Sequence, residues 1–263
     1  MQILRTTILI FRAQLWRTLR ARRTLVCGLI AIIPPLLTFL ITMFADPEDV
    51  QGILFQRVGW IALMEVVVPI LSLIAGAAVV SEEIEDRTIT YLLTRPIPRP
   101  AILLGRWLAC FVWIGLLLVT CTLAIALAAR FGSPDSTDPE LFGPLVRSLV
   151  WAALFGGAVY TSLFAALGTI VRHPMIVGLV YSFAIEGFLS GLPGRAQSLT
   201  IKYHLRSFAG GLAPDDWNVV PMFRMTELDP SSEAGTTLAI LTLIALFLGS
   251  FVLSRRQYVM TSS

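Results

Sequence analysis

Apolar residues run in long blocks along this chain instead of alternating with polar ones, and the blocks have the length of a bilayer crossing. A helix needs roughly 20 apolar residues to cross a hydrocarbon core about 30 Å thick. Six blocks reach or approach that length: residues 24–44, 58–80, 107–129, 149–171, 175–192 and 236–253. Pro34-Pro35 fall in the first and Pro69 in the second. Such prolines are tolerated in lipid where neighbouring helices satisfy the freed carbonyls. Residues 1–23 carry a different pattern. Leu4, Ile8, Phe11, Leu15 and Leu19 share one narrow arc of a helix, and Arg5, Arg17 and Arg20 lie away from it. That spacing predicts a helix lying along the membrane surface. The predicted fold class is an all-α polytopic membrane protein, with six transmembrane helices in residues 24–263 and an N-terminal interfacial amphipathic helix in residues 1–23.

Composition narrows the function classes. Of 263 residues, 56% are hydrophobic and 14% charged, and the mean hydropathy is +0.79. A soluble domain runs at about 45–50% apolar and about 25% charged, so soluble and disordered classes are excluded. The twenty bases, among which Lys202 is the one lysine, are scattered between apolar runs and form no patch, so no nucleic-acid partner is expected. Cys27, Cys110 and Cys121 each sit inside an apolar run, and His173 and His204 are far apart. Neither a disulfide framework nor a metal site nor a catalytic residue is expected from them. Gly156-Gly157 and Gly168 suit close helix packing, and Trp60, Trp107, Trp151 and Tyr258 suit interface anchors.

Charge sets the orientation. With both termini inside, the inner segments hold thirteen bases and the outer ones seven, and six arginines precede the first span. The positive-inside rule then places the N and C termini in the cytoplasm of a multi-pass protein of the cell (inner/plasma) membrane. Two connections are long: the inner loop 81–106 and the outer loop 193–235. Within the latter, Leu199 to Leu212 is apolar enough to re-enter the membrane, although Pro193, Gly210 and Gly211 interrupt the segment.

The inner loop carries the most information. Four acids in the five positions Glu82 to Asp86 favour the first turn of a helix through its macrodipole. Ile84, Thr88, Tyr91 and Leu92 then share a face, and Pro96 disfavours helix at Arg95. Pro96, Pro98 and Pro100 make a stiff bend, and Pro100 suits the first turn of a helix entering the third span. A short amphipathic helix held by such an elbow could pass force from a docked partner to two spans. The other reading is a solvated loop whose arginines only obey the positive-inside rule.

In this stretch Ser81, Glu83, Glu85, Thr88, Leu92-Leu93, Pro96, Arg99 and Gly105 stand in the order of a family motif. The loop resembles the cytoplasmic motif of type-2 (ABC-2) exporter permeases, the membrane subunits of ATP-binding cassette transporters. Arg87 stands where that family usually has Gly, and Arg106 where it has Lys. The resemblance implies a permease subunit of an exporter, with Glu82, Glu83, Glu85, Arg87, Thr88, Tyr91, Leu92, Arg95, Pro96 and Arg99 docking a separate ATPase. It also implies two such ATPase subunits and a second copy of this permease or a similar one. A P-loop needs its Lys behind a glycine loop. Lys202 follows Ile201 without one, so ATP and Mg are expected on the partner and no cofactor on this chain.

Glu65 and Glu186 are the ionisable residues deep within the predicted spans. A charge at a helix centre costs about 2.5–3.5 kcal/mol on insertion scales, so each should meet a cavity or a partner. Spans two and five often line the path in the resembled family, which makes both glutamates translocation-path candidates. The alternative is a buried structural group bonded to Arg, Ser or Tyr on a neighbouring span. At the level of the whole chain, the readings beside a permease are a non-transporting membrane scaffold or assembly subunit and an uncoupled channel.

Overall fold

Leu, Ala, Val and Ile in unbroken runs leave the backbone no polar partner but itself, and all the described elements are helical. The computed structural model describes residues 2–44, 53–85, 99–132, 139–192, 195–213 and 229–255. In chain order these form α1 (Gln2–Arg20), α2 (Arg22–Phe44), a π-helical segment (Ile53–Val67) continuing as α3 (Val68–Glu85), and α4 (Arg99–Gly132). There follow α5 (Pro139–Ile170), then α6 (Pro174–Leu179), a second π-helical segment (Val180–Ile185) and α7 (Glu186–Gly191) as one broken rod. A 3-10 turn (Arg195–Leu199), α8 (Ile201–Gly210) and α9 (Ser231–Arg255) complete it.

Among the described residues six stretches are long and apolar enough to cross a membrane: Arg22–Phe44, Val58–Val79, Ala101–Phe131, Phe142–Ile170, Pro174–Gly191 and Ser231–Arg255. The third and fourth begin well before the expected 107 and 149. The cause at the third is Arg106, which reads in the sequence as a boundary charge. Its side chain is instead buried, and Nη1 donates to the Val79 carbonyl at 2.8 Å, so the helix runs straight through it. This shift also alters the aromatic anchors. Trp60 is buried at 4% exposure, and Trp107 stacks on Phe111 with centroids 5.4 Å apart, inside the third span. Trp151 is exposed but lies nine residues into the fourth span. Tyr258 lies outside the described residues.

Spans two, three and four form the core, with Leu63, Leu71, Ile114, Leu118, Leu149, Tyr160 and Phe164 fully buried. Spans one, five and six pack around them and leave broad apolar faces uncovered. One end of the bundle bears Arg22, Arg99, Arg172 and Arg255; the opposite end bears Phe44, Gly132, Gly191 and Ser231.

At the arginine-bearing end α1 lies against α4. Gly105 is its seat, because a Cβ there would come within 2.9 Å of the Thr7 carbonyl oxygen and 3.1 Å of Ile10 Cβ. Gln14 and Thr18 on this helix are buried, whereas Ile8 and Leu19 of the expected apolar stripe are exposed. A surface helix with its apolar face turned to lipid has that arrangement. Arg23 Nη2 donates to Thr18 Oγ1 at 3.1 Å across the turn into α2.

Candidate functional site

Two places in the fold gather chemistry. The first is the connection between α3 and α4. Glu82, Glu83 and Glu85 belong to the last turns of α3, continuous with span two. The acids therefore do not open a new helix, as the macrodipole argument expected; no Gly or Pro separates Ala77 from Glu85, and nothing breaks the rod there. Arg99 is the first residue of α4, and Pro100 occupies the next position, as expected for a first turn. Arg87, Thr88, Tyr91, Leu92, Arg95 and Pro96 lie outside the described residues.

The second is built at the opposite end around α8. Thr200 caps this helix, its Oγ1 accepting from the Tyr203 N–H at 3.2 Å. Leu205 then points into the notch at Gly156 of α5, where a Cβ would meet Val68 Cγ1 at 3.0 Å and Leu205 Cδ1 at 3.1 Å. Gly157 is similarly tight, 3.0 Å from Leu118 Cδ1 of α4. Phe208 packs on Phe155, centroids 4.7 Å apart, and lies over Gly235 near the start of α9. Gly156 sits near the middle of span four, so α8 reaches well into the bundle. The segment that the sequence left undecided is thus a helix packed among spans two, four, five and six.

Glu186 and Glu65 hold this helix from two sides. Glu186 is 1% exposed. Its carboxylate accepts from the Tyr160 hydroxyl on α5, from the Tyr181 hydroxyl at 3.1 Å, and from the Ile201 N–H at 3.1 Å. The last bond ties α7 directly to the first residue of α8. Glu65 instead faces α8 through charge. Its Oε2 is 3.9 Å from Lys202 Nζ and its Oε1 is 3.7 Å from Arg206 Nη2. The two cations are four residues apart on one face of α8, with side chains 6% and 8% exposed, against 29% for Glu65. Burial pushes the Arg206 guanidinium down to about 10 against the pull of Glu65, so it stays charged at neutral pH.

Both carboxylates lie where a helix changes register. Glu65 is in the last turn of one π-helical segment, and Glu186 directly follows the other. At Glu65 a cause is legible: Pro69 has no N–H for the carbonyl four residues back. Segments of π-helix are rare and concentrate at functional sites.

The expected alternatives for these glutamates included bonding to Arg, Ser or Tyr on a neighbouring span; Glu186 accepts such a bond from Tyr160 of span four, whereas Glu65 meets Arg206 of α8 as an ion pair. Sequence reasoning missed Lys202, Arg206, Tyr160 and Tyr181 as their partners. The signal was available in the first two, a lysine and an arginine at helical i, i+4 spacing inside an otherwise apolar segment able to re-enter.

A separate apolar groove of about 530 Å³ opens between α2 and α4, lined by residues including Ala31, Pro35, Leu117 and Cys121. The one hydroxyl on its wall, Thr120, donates to its own helix at Leu116 and Leu117, so the groove has no polar handle to fix a ligand.

Comparison with curated proteins finds no match. A family model described as ABC-2 family transporter protein matches residues 8–257. That range takes in most of α1, all six spans, the α3–α4 connection and the α8 site. The chain belongs to the ABC-2 family of transporter proteins, as a multi-pass membrane permease subunit.

Proposed function

We propose that this chain is the membrane half of an ATP-driven exporter in the plasma membrane, with its arginine-bearing end and both termini in the cytoplasm. ATP and Mg bind a separate ATPase subunit, present twice, and a second copy of this permease or a similar one completes the assembly. The ATPase docks on the α3–α4 connection, with Tyr91 and Leu92 as apolar contacts. Glu82, Glu83, Glu85, Arg87, Thr88, Arg95, Pro96 and Arg99 surround them.

The observation that carries this reading, beside family membership, is the build of the two helices that leave the membrane there. α3 continues to Glu85, six residues past the end of span two at Val79. Arg106 of α4 is bonded to Val79 itself, and α1 lies on Gly105 next to it. A push on the connection therefore reaches spans two and three as one body. Span two carries Glu65 at its other end, so the same body ends at the α8 site.

The path runs along the uncovered face of span two. Ile61 and Val66 on that face are exposed, and Glu65 between them is partly so. A carboxylate turned toward hydrocarbon is costly, so this face meets water or the second copy in the assembled transporter. Glu65 contacts what passes, and Glu186 stands behind it as the anchor of α8.

Co-expression with the ATPase partner and extraction in mild detergent tests this reading. The wild-type chain should co-purify with the ATPase, and Leu92→Asp should not. Substrate should stimulate ATP hydrolysis by the wild-type complex. Co-purification without any stimulation would favour a scaffold subunit, and conductance from the chain alone would favour a channel.

A further inference from the structure

The groove between α2 and α4 has no polar handle of its own, but a charged element lies below it on the same face. Gly28, Ala31, Ile32, Pro35 and Leu36 form its α2 wall at i, i+3, i+4, i+7 and i+8, one side of that helix. On α4 a stripe at i+3 and i+4 spacing runs from Gly105, the seat of α1, through Ala109, Val112 and Leu116 to Thr120 of the opposite wall. Val112 and Leu116 are 43% and 63% exposed, so the face that carries α1 stays open up to the groove. Along α2, Gly28 stands about 9 Å and Leu36 about 21 Å from Arg22. One leaflet of the hydrocarbon core is about 15 Å deep. The groove therefore lies at the depth of the chain ends of lipids whose headgroups are level with Arg22.

The chemistry at that headgroup level is one-sided. α1 and α2 hold six arginines and no acid, since the first acidic residue of the chain is Asp46. Arg20 and Arg22, on either side of the turn between the two helices, are exposed. Trp16 is exposed as well, with the Arg20 guanidinium 5.3 Å from its ring centroid. Indoles and arginines of this kind settle at the membrane interface. The turn itself is fixed, because the Ala21 N–H donates to the Thr18 carbonyl at 3.1 Å and Arg23 Nη2 to Thr18 Oγ1 at 3.1 Å. A cluster of roughly four to eight bases on an amphipathic helix attracts anionic headgroups.

We infer that the α1–α2 turn and the groove above it form one site for an anionic phospholipid. Arg20 and Arg22 hold the phosphate, and one acyl chain rises along α2 into the groove. The lipid thereby joins α1, α2 and α4 without any covalent step. The inference rests on the orientation proposed above in one respect: it places this lipid in the inner leaflet.

The full chain in a neutral detergent tests the site, with bound lipid counted by native mass spectrometry. The probes are palmitoyl-oleoyl phosphatidylglycerol, the phosphatidylcholine with the same chains, and dihexanoyl phosphatidylglycerol. The long-chain phosphatidylglycerol should bind about ten-fold or more tightly than either of the others, which lack the charge or the chain length. Arg20→Gln combined with Arg22→Gln should bring it down to the level of phosphatidylcholine. Gly28→Leu puts a side chain into the groove at a position where a Cβ meets nothing within 4 Å. Leucine also favours the helix over glycine, so this variant folds. It should weaken the long-chain anion about ten-fold or more and leave dihexanoyl phosphatidylglycerol unchanged. Equal binding of the two long-chain lipids by the wild type overturns the site, and so does a charge preference that survives the double arginine variant. Wild-type affinity in Gly28→Leu overturns the groove as the seat of the chain. A lipid-free dimer that Gly28→Leu dissociates would give the groove to a second copy and overturn the proposal too. Protease access to an N-terminal tag from outside intact cells would sink the orientation alone, and the lipid would then belong to the outer leaflet with the detergent result unchanged.

Discussion

Two glutamates grip the same short helix, and they do so in opposite ways. Glu186 is 1% exposed and both of its oxygens accept hydrogen bonds, from two tyrosines and one backbone N–H. Glu65 is 29% exposed and faces two charges at distances too long for hydrogen bonds. Saturated acceptors resist change, because any rearrangement strands buried donors that water cannot reach. A partly hydrated ion pair can exchange partners at low cost. The first residue of α8 is therefore pinned through Ile201, while Lys202 and Arg206 on the same helix face a replaceable contact. A helix that combines one fixed and one replaceable contact can respond to what arrives at the replaceable one.

The sharpest way to break this contrast is to remove the pin. Glu186→Ala orphans the Tyr160 and Tyr181 hydroxyls and the Ile201 N–H, each worth about 1–3 kcal/mol when buried without a partner. Their sum is a large share of a marginal stability, so the variant should fail to accumulate in the membrane or melt far below the wild type in detergent. Glu186→Gln keeps an acceptor for Ile201 and should assemble. Wild-type accumulation of Glu186→Ala would show that α8 is not anchored there. Complete loss of transport by a well-assembled Glu186→Gln would move this residue from anchor to path.

Next in size is Glu65→Lys, which sets three cations together. Breaking a fully buried ion pair costs about 3–5 kcal/mol, and the partial exposure of Glu65 puts this variant at the low end. The exchange Glu65→Lys with Lys202→Glu restores opposite charges and should recover most of the loss in melting temperature. Failure to recover would mean that the pair depends on geometry and not on charge, and the contrast with Glu186 would dissolve.

The cost of reading these residues from sequence alone differs from element to element, for physical reasons. The six spans were legible because a bilayer demands uninterrupted apolar length and nothing else in the chain competes with that signal. Their ends were less so. Arg106 marks a boundary by charge, yet it bonds the Val79 carbonyl inside the bundle, a partner that no local rule supplies. The same blindness hid α8. Lys202 and Arg206 count as loop bases in any hydropathy sum, and the carboxylate of Glu65 that faces them lies far away in sequence. Glu65 and Glu186 themselves stood out, since an acid in an apolar span always asks for a partner. Which partner each has is a tertiary fact.

A third test works on packing. Gly156→Val places methyl groups where Val68 Cγ1 and Leu205 Cδ1 already stand 3.0 and 3.1 Å from the Cβ position. Overpacking of this kind costs about 1–3 kcal/mol. Because Leu205 lies between Lys202 and Arg206, the two residues that face Glu65, its displacement should loosen that contact. The melting temperature should fall, and labelling of Lys202 by an amine-acylating reagent should become faster than in the wild type. Unchanged labelling would place the seat of α8 elsewhere.

The smallest expected effect discriminates most finely. Tyr181→Phe removes one of the two donors on Glu186 Oε1 and leaves the Ile201 N–H in place on the same oxygen. Hydrogen bonds between helices in a membrane average about 0.6 kcal/mol in double-mutant cycles. A drop of that size, little more than the error of a melting experiment, is expected for Tyr181→Phe. Tyr160→Phe should cost more, because the Tyr160 hydroxyl is fully buried and bonds Oε2, for which it is the donor found. The order of the two variants matters more than either value. If Tyr181→Phe were the costlier, the grip on Glu186 would come from within its own broken helix and not from α5. The pin would then move with span five, and α8 would be carried by that span instead of being held against the core.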